Sequence, residues 1–317
     1  MKNRFAILSA LAALFVLIVA SQEAIESARY GLQLCLELIL PSLFPFFLIS
    51  VLLSRLGFPL RLGRRLSGPA ERLFGVSGVG ATALLIGLCG GYPMGAAYLA
   101  DMLQEGVIRE DEAEHLLAFC NNSGPAFLIG AVGAGIFGSA RLGLALYGVH
   151  ALAAVLTGLL LRRRAPRPSS RRIQAVGSAG AFSKLLPEAV QQTVSALLNV
   201  CGFVVCFTVF TGLINANGLL EPLVRLFPLP AQDAVRAFLI GFWEIGGGIG
   251  ALRGLPPTPL NLALAAAMVG WGGVSVQFQT LAVLADSNIK GALHRTGRLS
   301  SAVLSFCLAY LVFSLKS

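Results

Sequence analysis

The chain is a succession of apolar runs at about 5–20, 31–53, 79–100, 116–138, 142–161, 186–213, 236–252, 258–284 and 299–315, joined by short polar connections. A membrane-crossing helix needs roughly 20 apolar residues, so the pattern predicts an all-α polytopic membrane protein. Two runs are broken at their centres. One reads Leu88-Cys89-Gly90-Gly91-Tyr92-Pro93-Met94-Gly95, the other Phe242-Trp243-Glu244-Ile245-Gly246-Gly247-Gly248. Adjacent glycines and proline interrupt the helical hydrogen-bond ladder. At membrane depth such backbone is tolerated only where protein or a water-filled cavity surrounds it. Each broken run therefore reads as a re-entrant hairpin.

Composition agrees. Of 317 residues, 56% are apolar and 12% charged, against roughly 25% charged in a soluble domain; the mean hydropathy is +0.78. A soluble protein this apolar would present large greasy patches to water. The six cysteines lie in apolar runs without a CxxC pair and read as small buried hydrophobes, giving neither a disulfide frame nor a zinc site.

The net charge of +9 is compatible with nucleic-acid binding or with cytoplasmic membrane loops, and position decides. Seventeen of the 24 basic residues fall in four groups: Lys2 and Arg4; Arg55, Arg61, Arg64, Arg65 and Arg72; Arg162, Arg163, Arg164, Arg167, Arg171, Arg172 and Lys184; and Lys290, Arg295 and Arg298. They occupy short connections almost free of aromatic residues, so no nucleic-acid partner is expected, and all four are assigned to the cytoplasmic side. An even number of crossings must then separate the second and third groups. Three apolar runs lie between them, so one must enter and leave on the same face, and 79–100 is the choice.

The second half repeats the first. One fixed shift carries Gly87 onto Gly241, Glu37 onto Gln191, Pro41 onto Ser195, Pro45 onto Asn199 and Asn121 onto Ser275. The charge rule starts the first copy outside and the second inside. The expected architecture is two inverted-topology repeats, each with a broken re-entrant hairpin, in about seven crossings plus two hairpins, with the N-terminus inside and Ser317 outside. The divisions are 1–29 (a signal-anchor helix, preferred over a cleaved signal, with an outer loop), 30–161 (first repeat), 162–184 (basic cytoplasmic linker) and 185–317 (second repeat). Inverted repeats with corresponding broken segments point to a transporter-type binding site. The competing reading is that the glycines only allow close helix packing.

Candidate site residues follow. Asn121-Asn122-Ser123-Gly124-Pro125 places polar and helix-breaking residues inside an apolar run, where they are costly unless satisfied. A helix restarting after Pro125 would direct its positive end at an anion; a hinge satisfied by neighbouring helices is the alternative. Gly90, Gly91, Tyr92 and Pro93 form the first hairpin break. Glu244, Gly246 and Gly247 form the second, with Glu244 as proton carrier or cation ligand, or solvated if the hairpin tip reaches the surface. Glu188, Gln191, Ser195 and Asn199 share one helix face and read as a cavity-lining stripe, although Glu188 alone could be interfacial. Ser275, Gln277 and Gln279 are the counterpart polar patch. Glu112 and His115 form an ExxH pair expected on a solvated face, and His150 and His294 are scattered. HExxH, Walker and GxSxG motifs are absent, so no enzyme, cofactor or metal is expected.

The strings Leu40-Pro41-Ser42-Leu43-Phe44-Pro45-Phe46, Gly90-Gly91-Tyr92-Pro93-Met94-Gly95-Ala96 and Phe119-Cys120-Asn121-Asn122-Ser123-Gly124-Pro125-Ala126-Phe127 resemble the sporulation integral membrane proteins of YlbJ type, within the nucleoside-recognition or Gate domain family. The resemblance covers nearly the whole chain after Tyr30 and makes 30–161 a Gate-like repeat. It implies kinship with concentrative nucleoside transporters and movement of dipicolinic acid from the mother cell toward the forespore. The expected partners are the lipid bilayer, a small anionic solute, and either a second copy or sporulation membrane proteins. The expected location is the inner (plasma) membrane, including the mother-cell-derived outer forespore membrane. A nucleoside-like solute, a metal ion, or a non-transporting sporulation scaffold are the alternatives.

Overall fold

The computed structural model describes residues 2–166, 182–287, 289 and 291–315. Arg167, Arg171, Arg172, Lys290 and Ser317, which carry part of the topology reading, lie outside the described residues. Among the described residues every regular element is helical.

Helix α1 (Lys2–Val19) is exposed along 4–19. Helix α2 runs unbroken over Ser21–Arg55. The outer loop expected up to residue 29 is therefore helix. Its polar residues are competent helix formers with no glycine or proline to stop them, and Gln22 Nε2 donates to Glu26 Oε1 one turn on. Within α2, Cys35–Ile39 widens into a π-helix just before Pro41. A proline ring clashes with the carbonyl four residues earlier, and a wider turn accommodates it.

Helix α3 (Phe58–Phe74) takes the place of the expected basic loop. It buries Pro59, Gly63, Ala70 and Phe74 and leaves Arg61, Arg64, Arg65 and Arg72 exposed. Arginine is a good helix former, so a run of charges here builds an amphipathic helix without altering the charge asymmetry. Helix α4 (Gly78–Gly90) follows after an 88° bend. Gly75 ends α3 at φ +70 and Ser77 Oγ caps α4 by accepting from Gly80 N at 3.0 Å. The bend also corrects the ExxH expectation. Glu112 and His115 are buried; Glu112 Oε1 accepts from Ser77 N at 2.6 Å and His115 Nε2 lies 3.3 Å from the Phe74 carbonyl. They are struts under the corner.

The remaining helices of six residues or more are α5 (Met94–Gln104), α6 (Glu110–Cys120), α7 (Ala126–Ile136, π-wound), α8 (Ala140–Leu161), α9 (Phe182–Ala216), α10 (Leu229–Trp243), α11 (Ile245–Gly250), α12 (Pro259–Trp271), α13 (Gly273–Val283) and α14 (Ala292–Ser314). Five spans are long and apolar enough to cross a membrane: Ser21–Arg55, Ala140–Arg164, Phe182–Ala216, Pro259–Val283 and Ala292–Ser314, or six if α3 and α4 count as one bent span. Arg4–Val19 and Ala126–Ile136, which the seven-crossing reading also counts, are shorter apolar helices.

Close backbone approach sets the centre. A Cβ on Gly87 of α4 or Gly95 of α5 would collide with the Cys120 carbonyl, and one on Gly297 of α14 with that of Ala118. Three helices thus converge on the C-terminal end of α6, a density that only glycine permits. Among the cysteines, Cys35 and Cys120 are buried and Cys201 half-buried, whereas Cys89, Cys206 and Cys307 are exposed; all are free. The expectation of six buried thiols therefore fails for the last three, since in a membrane span an apolar setting includes faces that no protein covers.

Candidate functional site

Four helices are interrupted, and the interruptions meet. The α4–α5 break at Gly91, Tyr92 and Pro93 backs directly onto the α6–α7 break, where a Cβ on Gly91 would stand 3.1 Å from Gly124 N. The α10–α11 break at Glu244 backs onto the α12–α13 break in the same way: a Cβ on Gly273 would lie 3.1 Å from Ile245 N and 3.2 Å from the Trp243 carbonyl. The fourth break, at Gly272 with φ +84, falls in a run read as continuous from sequence. The adjacent pair Gly272-Gly273 was its available signal.

Tyr92 joins the two pairs. Its ring faces Gly272, its hydroxyl donates to the Val269 carbonyl at 3.0 Å, and it accepts from Arg298 Nη1 at 2.6 Å. Arg298 Nη2 donates to Asn122 Oδ1 at 3.3 Å, and Asn122 Nδ2 donates to the Phe119 carbonyl at 2.7 Å. Asn121 Nδ2 donates to Thr280 Oγ1 at 2.8 Å, and Ser123 N donates to His150 Nε2 at 3.0 Å. The end of α6 is thus tied to α8, α13 and α14 by side chains that replace the lost helical partners.

Arg298 is 0% exposed. Sequence reading assigned it to a cytoplasmic basic group; the fold places it inside α14, against the C-terminal end of α6, where a cation complements the helix dipole. Among the described residues no carboxylate pairs with it. Its Nε, together with Asn121 Oδ1, Ser275 Oγ and His150 Nδ1, has no hydrogen-bond partner among the described residues.

Glu244 is likewise fully buried, which removes the solvated-tip alternative. Its carboxylate accepts from Gly246 N at 3.0 Å and Gly247 N at 2.5 Å. It occupies the N-terminal end of α11 as a cap, so that end is already filled by the protein's own acid.

Between the breaks lies a cavity of about 50 Å³ bounded by Gly91, Tyr92, Ser123, Gly124, Glu244, Gly246 and Gln279, with Ile39 and Leu43 of α2 and Val200 and Val204 of α9 closing its sides. Of the residues expected to form the site, Gly91, Tyr92, Ser123, Gly124, Glu244 and Gly246 reach this cavity. Gly90, Pro93, Asn121, Asn122 and Ser275 are buried without lining it, and Gly247 lines a separate cavity with Tyr30 and Gly250. Gln277 is half-buried and does not line it, whereas Gln279, two residues on, does. Ser195 and Asn199 are exposed on the side of α9 opposite Leu197, Val200 and Val204. The stripe correctly shares one face, but it is the outward face, because the apolar residues of α9 are the ones that pack inward. Glu188 is also outward and pairs with Arg55 Nη1, in keeping with its interfacial alternative. Arg298, His150 and Thr280 are the site residues that sequence reading missed. None carries a local motif, and each reaches the junction from a distant helix.

An all-helical body with several membrane-length apolar spans, folded around a buried polar junction of interrupted helices, is that of a polytopic integral membrane protein. The chain is 32% identical over 296 residues to the sporulation integral membrane protein YlbJ of Bacillus subtilis (strain 168), a match covering 85% of this chain and 72% of that protein. It belongs to the YlbJ-type family of sporulation integral membrane proteins. No family model matches the chain, and no solved structure matches it. The relationship is consistent with a membrane role in sporulation.

Proposed function

We propose that the protein transports, or facilitates the movement of, a small anionic solute, with dipicolinic acid passing from the mother cell toward the forespore as the favoured case. The observation that carries this is Arg298, a fully buried cation without a carboxylate partner among the described residues, which grips two members of the junction. A buried charge demands compensation, and a carboxylate solute would supply it. The start of α7 adds to the attraction: Ser123 and Gly124 open onto the cavity, and the amide end of a helix favours anions. An engineered apolar cavity of about 150 Å³ just takes up benzene, so a cavity of about 50 Å³ is too small for an aromatic dicarboxylate. Passage requires the paired breaks to separate.

Element order supports the inverted-repeat reading. A long helix (α2, α9) is followed by a pair broken at Gly91–Pro93 or Glu244, then by a pair broken at 121–125 or Gly272, then by a span (α8, α14). Opposed repeats that rock about a central site would provide alternating access. Kinship with the Gate domain family and assignment to the forespore-facing membrane rest on the resemblance of the Asn-Asn-Ser-Gly-Pro string. No catalysis is assigned to the junction.

One observation favours a second reading. Among the described residues Glu244 is the only acid in the cavity wall, which suits a metal ion or an uncharged nucleoside-like solute better than a dianion. Uptake of labelled dipicolinate, nucleoside and divalent cation into proteoliposomes separates these. Under the proposal dipicolinate flux is observed and Asn122→Ala abolishes it while membrane protein persists. Wild-type flux in that variant would overturn the site assignment, and no flux of any solute would favour a scaffold.

A further inference from the structure

Among the described residues nothing covers the outward stripe of α9. Asn199 is the central residue of the 35-residue helix Phe182–Ala216 and lies at the middle of its apolar run 186–213, so a bilayer centred on that run places it near mid-membrane. Yet Asn199 is exposed. Hydrocarbon offers an amide neither donor nor acceptor, and polar side chains at this depth face protein or a water-filled cavity. The same face carries Gln191, Ser195, Gly202 and Cys206, all exposed.

Gly202 supplies an independent observation. Nothing lies within 4 Å of the position its Cβ would take. The glycines of α4, α5 and α14 admit neighbouring backbone, but Gly202 admits nothing among the described residues, and glycine inside a helix costs stability relative to alanine. An outward glycine at this depth leaves room for a second helix to approach closely from outside.

We propose that this face of α9 is the contact between two copies of the chain, crossing at Asn199 and Gly202. The occupant follows from the chemistry of the seam. A carboxamide is both donor and acceptor, so Asn199 is complementary to itself across a two-fold axis normal to the membrane, where each residue meets its own counterpart. Ser195 and Gly202 stand one heptad apart, the spacing of a left-handed helix pair. Beside the seam lies an apolar groove of about 470 Å³ between Pro41, Phe44 and Pro45 of α2 and Val194 and Leu198 of α9. It gives room for the bulky apolar side chains that flank the seam on the second helix.

The test is the mass of the purified full-length protein in lipid nanodiscs, with disulfide trapping in native membranes. Wild type is expected to contain two copies and the double variant Asn199→Leu, Gly202→Ile one, with unchanged secondary structure. Under copper–phenanthroline oxidation, Asn199→Cys in a background with the native cysteines replaced by serine is expected to give a covalent dimer. Leu299→Cys, also exposed but on α14, is expected to give none. A monomeric wild type, a dimer indifferent to the double substitution, or trapping at Leu299→Cys but not at Asn199→Cys would each overturn the proposal. A wild type that pairs only when other membrane proteins are added would assign the face to a different partner.

Discussion

Arg298 and Tyr92 stand 206 positions apart in the chain and meet through a 2.6 Å hydrogen bond from Nη1 to the phenol oxygen. The same guanidinium lies 5.8 Å from the centroid of the Tyr92 ring and reaches Asn122 with its other terminal nitrogen. One planar fork therefore positions the first hairpin against the α6–α7 break. Arg298→Lys retains the charge but not the fork, and a single ammonium is a poor substitute at a two-partner site. The expected result is a loss of about 1–3 kcal/mol, because a buried acceptor is left unpaired, together with loss of most solute flux. Thermal unfolding in detergent and proteoliposome flux measure the two effects. Full flux and an unchanged midpoint in the lysine variant would dismiss Arg298 as the organiser of the junction.

Glu244 caps α11 through two backbone amides. Glu244→Ala removes both acceptors and should cost about 1–2 kcal/mol, as cap deletions do. Glu244→Gln keeps one acceptor oxygen and should cost less. Chemical denaturation of the two variants decides. An equal cost would mean that the carboxylate's charge matters there more than its capping.

Gly87 faces the Cys120 carbonyl so closely that an added methyl group would overlap it. Neither partner is a flexible side-chain end, so relief requires helix displacement. Gly87→Ala should destabilise by about 3 kcal/mol or more, the upper range for overpacking. Gly130→Ala, where nothing lies within 4 Å, should be neutral or slightly stabilising. Melting temperatures of the pair provide the contrast, and similar values would refute the close-packed centre.

The Arg55–Glu188 pair joins α2 to α9 with its side chains 35% and 56% exposed. Exposed ion pairs contribute about 0–1 kcal/mol. Glu188→Ala is therefore expected to change stability by less than about 1 kcal/mol and to leave transport intact. A transport-dead Glu188 variant with normal folding would restore the cavity-lining role that the fold denies it.

Much of the junction was legible because its breaks are written locally. Gly90-Gly91-Tyr92-Pro93 and Asn121-Asn122-Ser123-Gly124-Pro125 cannot continue a helix, and an apolar run around them announces a buried interruption. Glu244 was found for the same reason. Ser195 and Asn199 show the limit of this reasoning. Their spacing proves a shared face, but periodicity alone does not say whether that face turns inward, and in a membrane the inward face of a helix is no more apolar than the outward one. Arg298 was misread because a positive charge near other positive charges at the edge of an apolar run reads as a loop residue.

By itself, then, the sequence determined that the chain is a helical membrane protein, that its basic residues cluster between spans, and where its backbone must break. Those are consequences of local chemistry: hydrocarbon admits only backbone that satisfies itself, and glycine and proline interrupt that satisfaction wherever they stand. Tertiary structure decided which breaks meet, that Arg298 and Glu244 are buried apart at one junction, and that the polar stripe of α9 looks outward. These depend on how helices distant in the chain pack and rotate against one another, and in this protein glycine contacts such as Gly87 with Cys120, Gly297 with Ala118 and Gly91 with Gly124 fix that arrangement.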